Sequence, residues 1–180
     1  MQRDRERFLL MRVFKFKDLR AFEELYEANR SRVYRFLSYK LPTLSDAEDV
    51  TSDIFLRLWD YAQTTRVESM SGLAFKIARN AVASFYRGRG NVKAEDLEAA
   101  EALASDAAGP AEETELIMSI EAVERHLKKL KDEHRDVIIM RYLEEMKVSE
   151  IAVALEKTEN TVRVLLHRAL KAVREIISNQ

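Results

Sequence analysis

Between Thr161 and Arg174 the chain carries Arg163, Arg168, Lys171 and Arg174, and no acid. A guanidinium can donate two parallel hydrogen bonds to a guanine edge, and any of these cations can reach a phosphate. Val164 offers methyl groups suited to a thymine methyl, and His167 adds a polar ring beside it. All of these stand away from the apolar stripe Val162, Leu166, Ala169, Leu170, Val173 and Ile177, whose spacing is helical. A shorter stripe precedes it: Val148, Ile151, Ala152 and Leu155, with Ser149 placed to cap that helix and Lys157–Asn160 as the break. Thr161 opens the second helix. A short helix, a tight turn and a helix with one apolar and one cationic side form the geometry that enters a DNA major groove.

A second strip interleaves cations with aromatics: Phe75, Lys76, Arg79, Asn80, Phe85, Tyr86, Arg87 and Arg89. Aromatic faces stack on unpaired bases while neighbouring cations neutralise phosphates, a combination suited to single-stranded DNA. Phe75 and Phe85 also lie on or near the helical apolar stripe, which assigns them to the core. The polar members read equally well as a solvated helix face.

A third segment, Asp46 to Trp59, gathers Asp46, Glu48, Asp49, Asp53 and Arg57 around a dense apolar run that ends in the only tryptophan. Paired carboxylates can bind metal or move protons. Here no histidine and no phosphate-cradling glycine loop accompanies them. His126, His134 and His167 all lie far along the chain without metal-ligand spacing. The acids therefore read as a charged helix face or as a docking surface for a basic partner. No catalytic residue, metal site or cofactor is expected.

These segments need helices to position them. Of 180 residues, 47% are hydrophobic and 34% charged, with four glycines and two prolines, which suits an all-α protein. The absence of cysteine excludes disulfides and thiolate metal sites. No apolar run approaches membrane-spanning length, and the charged N-terminus MQRDRERFLLMR does not read as a signal peptide, so membrane insertion is not expected and a cytoplasmic location is. A net charge of −1 conceals strong segregation. Ser69–Ala94 holds five bases and no acid, whereas Glu95–Glu124 holds ten acids and no base. Fields act locally over about 10 Å in salt, so this distribution matters more than the total.

The organisation expected is two small helical domains joined by a flexible acidic linker. Residues 1–17 form a basic amphipathic extension and 18–90 a three-helix unit. In that unit Pro42 and the Thr43–Ser45 turn end the first helix, Asp46 starts the second, and the third ends near Gly88 and Gly90. Residues 91–113 are the linker. Residues 114–180 form four helices, the first led by Leu116, Ile117, Ile120, Val123 and Leu127 and the last two being the helix-turn-helix.

Four stretches, in order, resemble bacterial RNA polymerase sigma factors of the extracytoplasmic-function (ECF) type, over roughly Phe22 to Ile176. They are FEELYEANRSRVYRFL, DAEDVTSDIFLRLW, SGLAFKIARNAVASFYRGR and the segment from Leu127 to Glu175. The resemblance implies a non-enzymatic initiation factor whose partners are core RNA polymerase and promoter DNA, with an anti-sigma factor as a further partner. It places Asp49, Asp53, Phe55, Leu56, Arg57 and Trp59 in the helix that docks on polymerase. It puts a flipped base of the minus-ten element in the loop Thr64–Gly72, with Lys76, Arg79, Asn80, Ser84 and Arg87 near the opened strand. It assigns Thr161, Arg163, Val164, His167, Arg168 and Lys171 to the minus-thirty-five element. Ser84 departs from the Asp or Asn usual there, and residues 1–17 lie outside the resemblance. A stand-alone helix-turn-helix regulator and a sigma-mimicking antagonist are the alternatives; the first leaves DAEDVTSDIFLRLW without a role, and the second has no need of the basic faces.

Overall fold

The structure is a computed structural model that describes residues 2–88, 127 and 129–178, with side chains described from residue 4 onward. It is all-α, with no strand among the described residues. The helices are α1 (Gln2–Phe16), α2 (Leu19–Ser38), α3 (Leu44–Thr64), α4 (Met70–Gly88), α5 (Asp132–Ile138), α6 (Val148–Leu155) and α7 (Glu159–Ser178). α5 runs on into a widened π turn, Ile139–Leu143. The expected linker 91–113 and the helix led by Leu116 lie outside the described residues.

The N-terminal unit has four helices where three were expected. α1 is a member of it, because Leu9, Leu10 and Val13 are buried with the apolar faces of α2 and α3. The centre of the core is Val33, Phe36, Leu37, Ile54, Leu58, Met70 and Phe75, all essentially without solvent exposure. Aromatic pairs lock the layers. Phe22 meets Trp59 edge-on at 5.1 Å, Tyr26 meets Phe55 at 4.8 Å, and Phe36 meets Phe75 at 5.3 Å. Such tilted and edge-to-face contacts set a ring's positive edge against its neighbour's negative face. α1 also reaches the start of α4, where the Glu6 carboxylate accepts from the Met70 N–H at 2.8 Å. The first N–H groups of a helix have no intrahelical partner, so this contact from another helix fixes where α4 begins.

Three helix starts fall elsewhere than the sequence suggested. α3 begins at Leu44, ahead of Asp46, because the Thr43 hydroxyl accepts from the Asp46 N–H at 3.0 Å. α7 begins at Glu159, ahead of Thr161, because the Thr158 hydroxyl accepts from the Thr161 N–H at 3.2 Å. Ser149 does not cap α6 but lies inside it; the start is closed by Glu150, whose carboxylate accepts from the Lys147 N–H at 2.7 Å. In each case an oxygen three residues away satisfies the orphan donor.

Asp18 caps α2. Its carboxylate accepts from the Ala21 N–H at 3.2 Å and from the Arg12 guanidinium at 2.9 and 2.5 Å. The Ala21 N–H first, and Arg12 second, hold its carboxyl below the ordinary value.

The C-terminal unit buries Val137, Ile139, Met140, Met146, Ile151, Ala154 and Val162 between α5, α6 and α7. It packs on the N-terminal unit chiefly through α6 against α4. Gly72 makes that approach possible. A Cβ there would sit 2.8 Å from the Val153 Cβ and 3.0 Å from the Glu150 carbonyl oxygen.

Two outcomes test this packing. Gly72→Ala should lower the melting temperature by forcing α4 off α6. Gly88→Ala, where an added Cβ meets nothing within 4 Å, should not. Asp18→Asn should destabilise the protein at neutral pH. Because the folded-state pKa of Asp18 is depressed, its contribution is full above the ordinary carboxylate range and lost as pH falls through the folded value. The melting-temperature gap between Asp18→Asn and the unsubstituted protein should therefore close in acid.

Candidate nucleic-acid and partner interface

α3 turns one exposed edge to solvent. Asp49, Asp53 and Leu56 recur at helical spacing with Asp60, and all four are exposed. Leu56 is 67% exposed, a large apolar side chain ringed by carboxylates and by Arg57, which pairs with Asp53 at 2.7 Å. Phe55 and Trp59 sit differently. Phe55 is buried against Tyr26, and Trp59 is half-buried against Phe22. Of the six residues singled out on this helix, Phe55 is thus a packing residue, while Asp49, Asp53, Leu56 and Arg57 are available to a partner.

On α7, Thr161, Arg163, Val164, His167, Arg168 and Lys171 are all exposed, and Val162, Leu165, Leu166 and Ala169 face the core. Arg163 pairs with Glu159 one turn back at 2.7 Å, which holds its guanidinium over the first turn. Val164 is 44% exposed on the same side. The arrangement presents donors and one apolar patch along a single solvent-facing strip.

The strip on α4 is divided. Asn80, Ser84 and Arg87 are exposed, and Arg87 donates to the Ser84 hydroxyl at 2.9 Å. Phe75 is fully buried, as its place on the stripe suggested. Lys76 and Arg79 are engaged by the C-terminal unit. Lys76 pairs with Glu156 at 2.6 Å; Arg79 pairs with Asp136 at 2.8 Å and donates to the Ala154 carbonyl at 3.5 Å. The loop after α3 faces a groove bounded by Phe8 and Met11 of α1, Arg66, Glu68 and Val153 of α6.

Three cations that drew no attention in the sequence, Arg32 and Arg35 on α2 and Lys40 in the turn after it, join this contact. Lys40, only 3% exposed, pairs with Asp136 at 2.6 Å and with Asp132. Arg35 donates to both oxygens of Glu144, at 3.1 and 2.8 Å, and Arg32 approaches the same carboxylate at 3.8 Å and donates to the Glu144 carbonyl. The Glu144 carboxylate raises the Arg35 pKa. Asp136 and Glu144, with side chains 3% and 0% exposed, would be costly to bury unpaired. No signal in the sequence links these partners, which lie up to 112 residues apart. Among the described residues no cluster of His, Cys, Asp and Glu is arranged to hold a metal ion, and no helix is long and apolar enough to cross a membrane.

Comparison with known proteins supplies the family. Residues 25–92 match the model for Sigma-70 region 2, and residues 120–173 match that for Sigma-70, region 4. The ECF RNA polymerase sigma factor BldN of Streptomyces coelicolor is 28% identical over 163 residues, an alignment covering 87% of this chain and 60% of BldN. The ECF RNA polymerase sigma factor SigW of Bacillus subtilis is 22% identical over 167 residues, covering 88% of this chain and 89% of SigW. Among solved structures, CnrH in complex with the cytosolic domain of CnrY shares the fold at a TM-score of 0.71 and 18% identity, covering 98% of this chain and 99% of CnrH. The sigma factor RpoE of Bartonella quintana, solved with the anti-sigma factor NepR, does so at 0.66 and 20%, covering 87% of this chain and 96% of RpoE. With regions 2 and 4 in family order on an all-α fold, the chain belongs to the sigma-70 family of RNA polymerase sigma factors, and to its ECF type.

Proposed function

We infer that the protein is a transcription initiation factor that binds core RNA polymerase and directs it to specific promoters. The observation that carries this reading is the pair of family regions in order, residues 25–92 and 120–173, each with an exposed face of matching chemistry. Such a factor works in the cytoplasm and recruits the polymerase's catalysis without supplying its own. The N-terminal unit, residues 18–90 extended by α1, docks on polymerase through Asp49, Asp53, Leu56 and Arg57 and melts the minus-ten element. Residues 91–113 connect it to the C-terminal unit, 114–180, which reads the minus-thirty-five element.

Leu56 is the anchor of the polymerase contact. An apolar side chain in a polar ring gains the full desolvation of a partner pocket, the usual pattern of an interface hot spot. On the DNA side, Arg163 and Arg168 donate to base edges or phosphates of the duplex, Lys171 neutralises phosphate, and Thr161, Val164 and His167 complete the surface. The opened strand lies along α4, where Lys76, Arg79 and Arg87 neutralise phosphates and Asn80 and Ser84 reach bases. An anti-sigma factor is a fitting further partner, since the two solved neighbours are each bound to a second protein: CnrH to the cytosolic domain of CnrY and RpoE to the anti-sigma factor NepR.

The test is reconstitution. Purified protein mixed with bacterial core polymerase should initiate from a subset of a random promoter library, and the selected promoters should share two upstream motifs. Arg163→Ala/Arg168→Ala should lose the upstream motif while still binding polymerase, because each good base contact contributes about 1–3 kcal/mol of discrimination. Leu56→Asp should keep the fold and weaken polymerase binding at least tenfold. Phe55→Ala should instead destabilise the protein by about 3–5 kcal/mol. Failure to bind polymerase at all would overturn the assignment.

A further inference from the structure

Helix α1 is apolar on two sides, and the protein covers only one of them. Leu9, Leu10 and Val13 are buried in the core, while Phe8, Met11 and Phe14 stay 54%, 40% and 37% exposed. These three line a groove of about 690 Å³, walled otherwise by the loop before α4 and by α6 around Val153. We propose that this groove binds a free anionic amphiphile of the long-chain fatty-acid class. The chain lies against Phe8, Met11, Phe14 and Val153, and the carboxylate head meets Arg7, Lys15 and Arg66. The proposal goes beyond the sigma-factor reading and does not depend on it.

Charge selects the head. Arg7, Lys15 and Arg66 line the groove, are exposed, and pair with no carboxylate among the described residues. Three carboxylates share the lining, and two of them are already engaged at helix starts. Glu6 accepts from the Met70 N–H at 2.8 Å and Glu150 from the Lys147 N–H at 2.7 Å. The positive end of a helix dipole offsets each of those two charges. Glu68 alone is left to answer three cations, so an anion entering the groove finds donors in excess.

The walls select the chain. α1 and α6 are helices, whose interior N–H and C=O groups are paired within the helix and offer a ligand nothing. A peptide or nucleotide strand laid between them would bury polar groups without partners. A hydrocarbon chain asks only for contact. A bilayer is flat, whereas this site is a trough with two banks, so it takes lipid one molecule at a time. Its volume lies within the roughly 300–1,000 Å³ of sites for small organic ligands. The walls are also set in advance. The Arg12 guanidinium lies 5.8 Å from the Phe8 ring centroid and is itself tied to Asp18 at 2.9 Å. Val153 is held where α6 closes on Gly72. Rigid walls lower the entropy lost on binding.

The experiment titrates the full chain with dansyl-undecanoate below its micellar concentration, reads the fluorescence gain, and then displaces the probe. Binding should saturate at one site per chain. Oleate should displace the probe, and oleyl alcohol, with the same chain and no charge, should need about tenfold more. Arg7→Gln/Lys15→Gln should weaken binding about tenfold, and Met11→Glu at least as much, with melting temperatures unchanged because the positions are exposed. Phe16→Ser removes a side chain of α1 that is 71% exposed but outside the groove, and should change nothing. Oleate should raise the melting temperature of the unsubstituted protein and not that of Met11→Glu. Equal displacement by oleate and oleyl alcohol, or an equal loss in Phe16→Ser, would reduce the effect to unspecific adsorption and overturn the site. A single-stranded oligonucleotide that displaces the probe at lower concentration than oleate would give the groove to DNA instead. Co-sedimentation with phosphatidylglycerol vesicles, lost in Arg7→Gln/Lys15→Gln and without binding of the probe, would give it to a membrane surface; either result overturns the proposal.

Discussion

Asp136 is the constraint around which the two units are arranged. Its carboxylate is almost fully enclosed, with Lys40 from the turn after α2 on one oxygen and Arg79 of α4 on the other. A buried carboxylate without such partners would bear a desolvation penalty of several kcal/mol. Both partners come from the opposite unit, so this position on α5 favours only those arrangements that bring α2 and α4 to it. Lys40 is constrained in turn: its ammonium lies 6.0 Å from the Phe36 ring centroid, and its backbone carbonyl accepts from the Tyr86 hydroxyl at 2.8 Å. The end of α2, the last turns of α4 and the start of α5 therefore share one electrostatic node. The Glu144 cluster is a second node of the same kind, which fixes rotation as well as contact.

Much of the helical skeleton was legible because it is written in local periodicity. On α3, Ile54, Phe55 and Leu58 are buried while Asp49, Asp53 and Leu56 are exposed, the division that a helical period produces along this segment. The stripe on α7 likewise buries Val162 and Ala169. Helix starts were less legible. A capping hydroxyl at Thr43 or Thr158 precedes the apolar run, so the first charged or apolar residue suggests a start two residues late. Helix α1 looked like an extension because its mixed charge hides a narrow buried edge of Leu9, Leu10 and Val13.

The candidate sites divide along the same line. Exposure on α3 and α7 follows from helical phase and could be read from the chain. The engagement of Lys76 and Arg79 could not, because their partners Glu156 and Asp136 are distant in sequence and belong to another unit. Charge segregation hinted that acids and bases would matter, but it pointed to the run Glu95–Glu124. The acids that meet the basic surface among the described residues are scattered singly through the C-terminal unit, each within an otherwise ordinary helix or turn.

Helix α1 carries none of the residues expected to touch DNA, yet through Glu6 it sets the first residue of α4, and with Phe8 and Met11 it forms one bank of the groove beside the preceding loop. The shape of that loop is thus governed from a part of the chain outside the matched regions. Relatives sharing identical residues along α4 but differing at their N-termini would hold the loop in different postures. A substitution on α1 can thus shift the loop while leaving every side chain of α4 as it was.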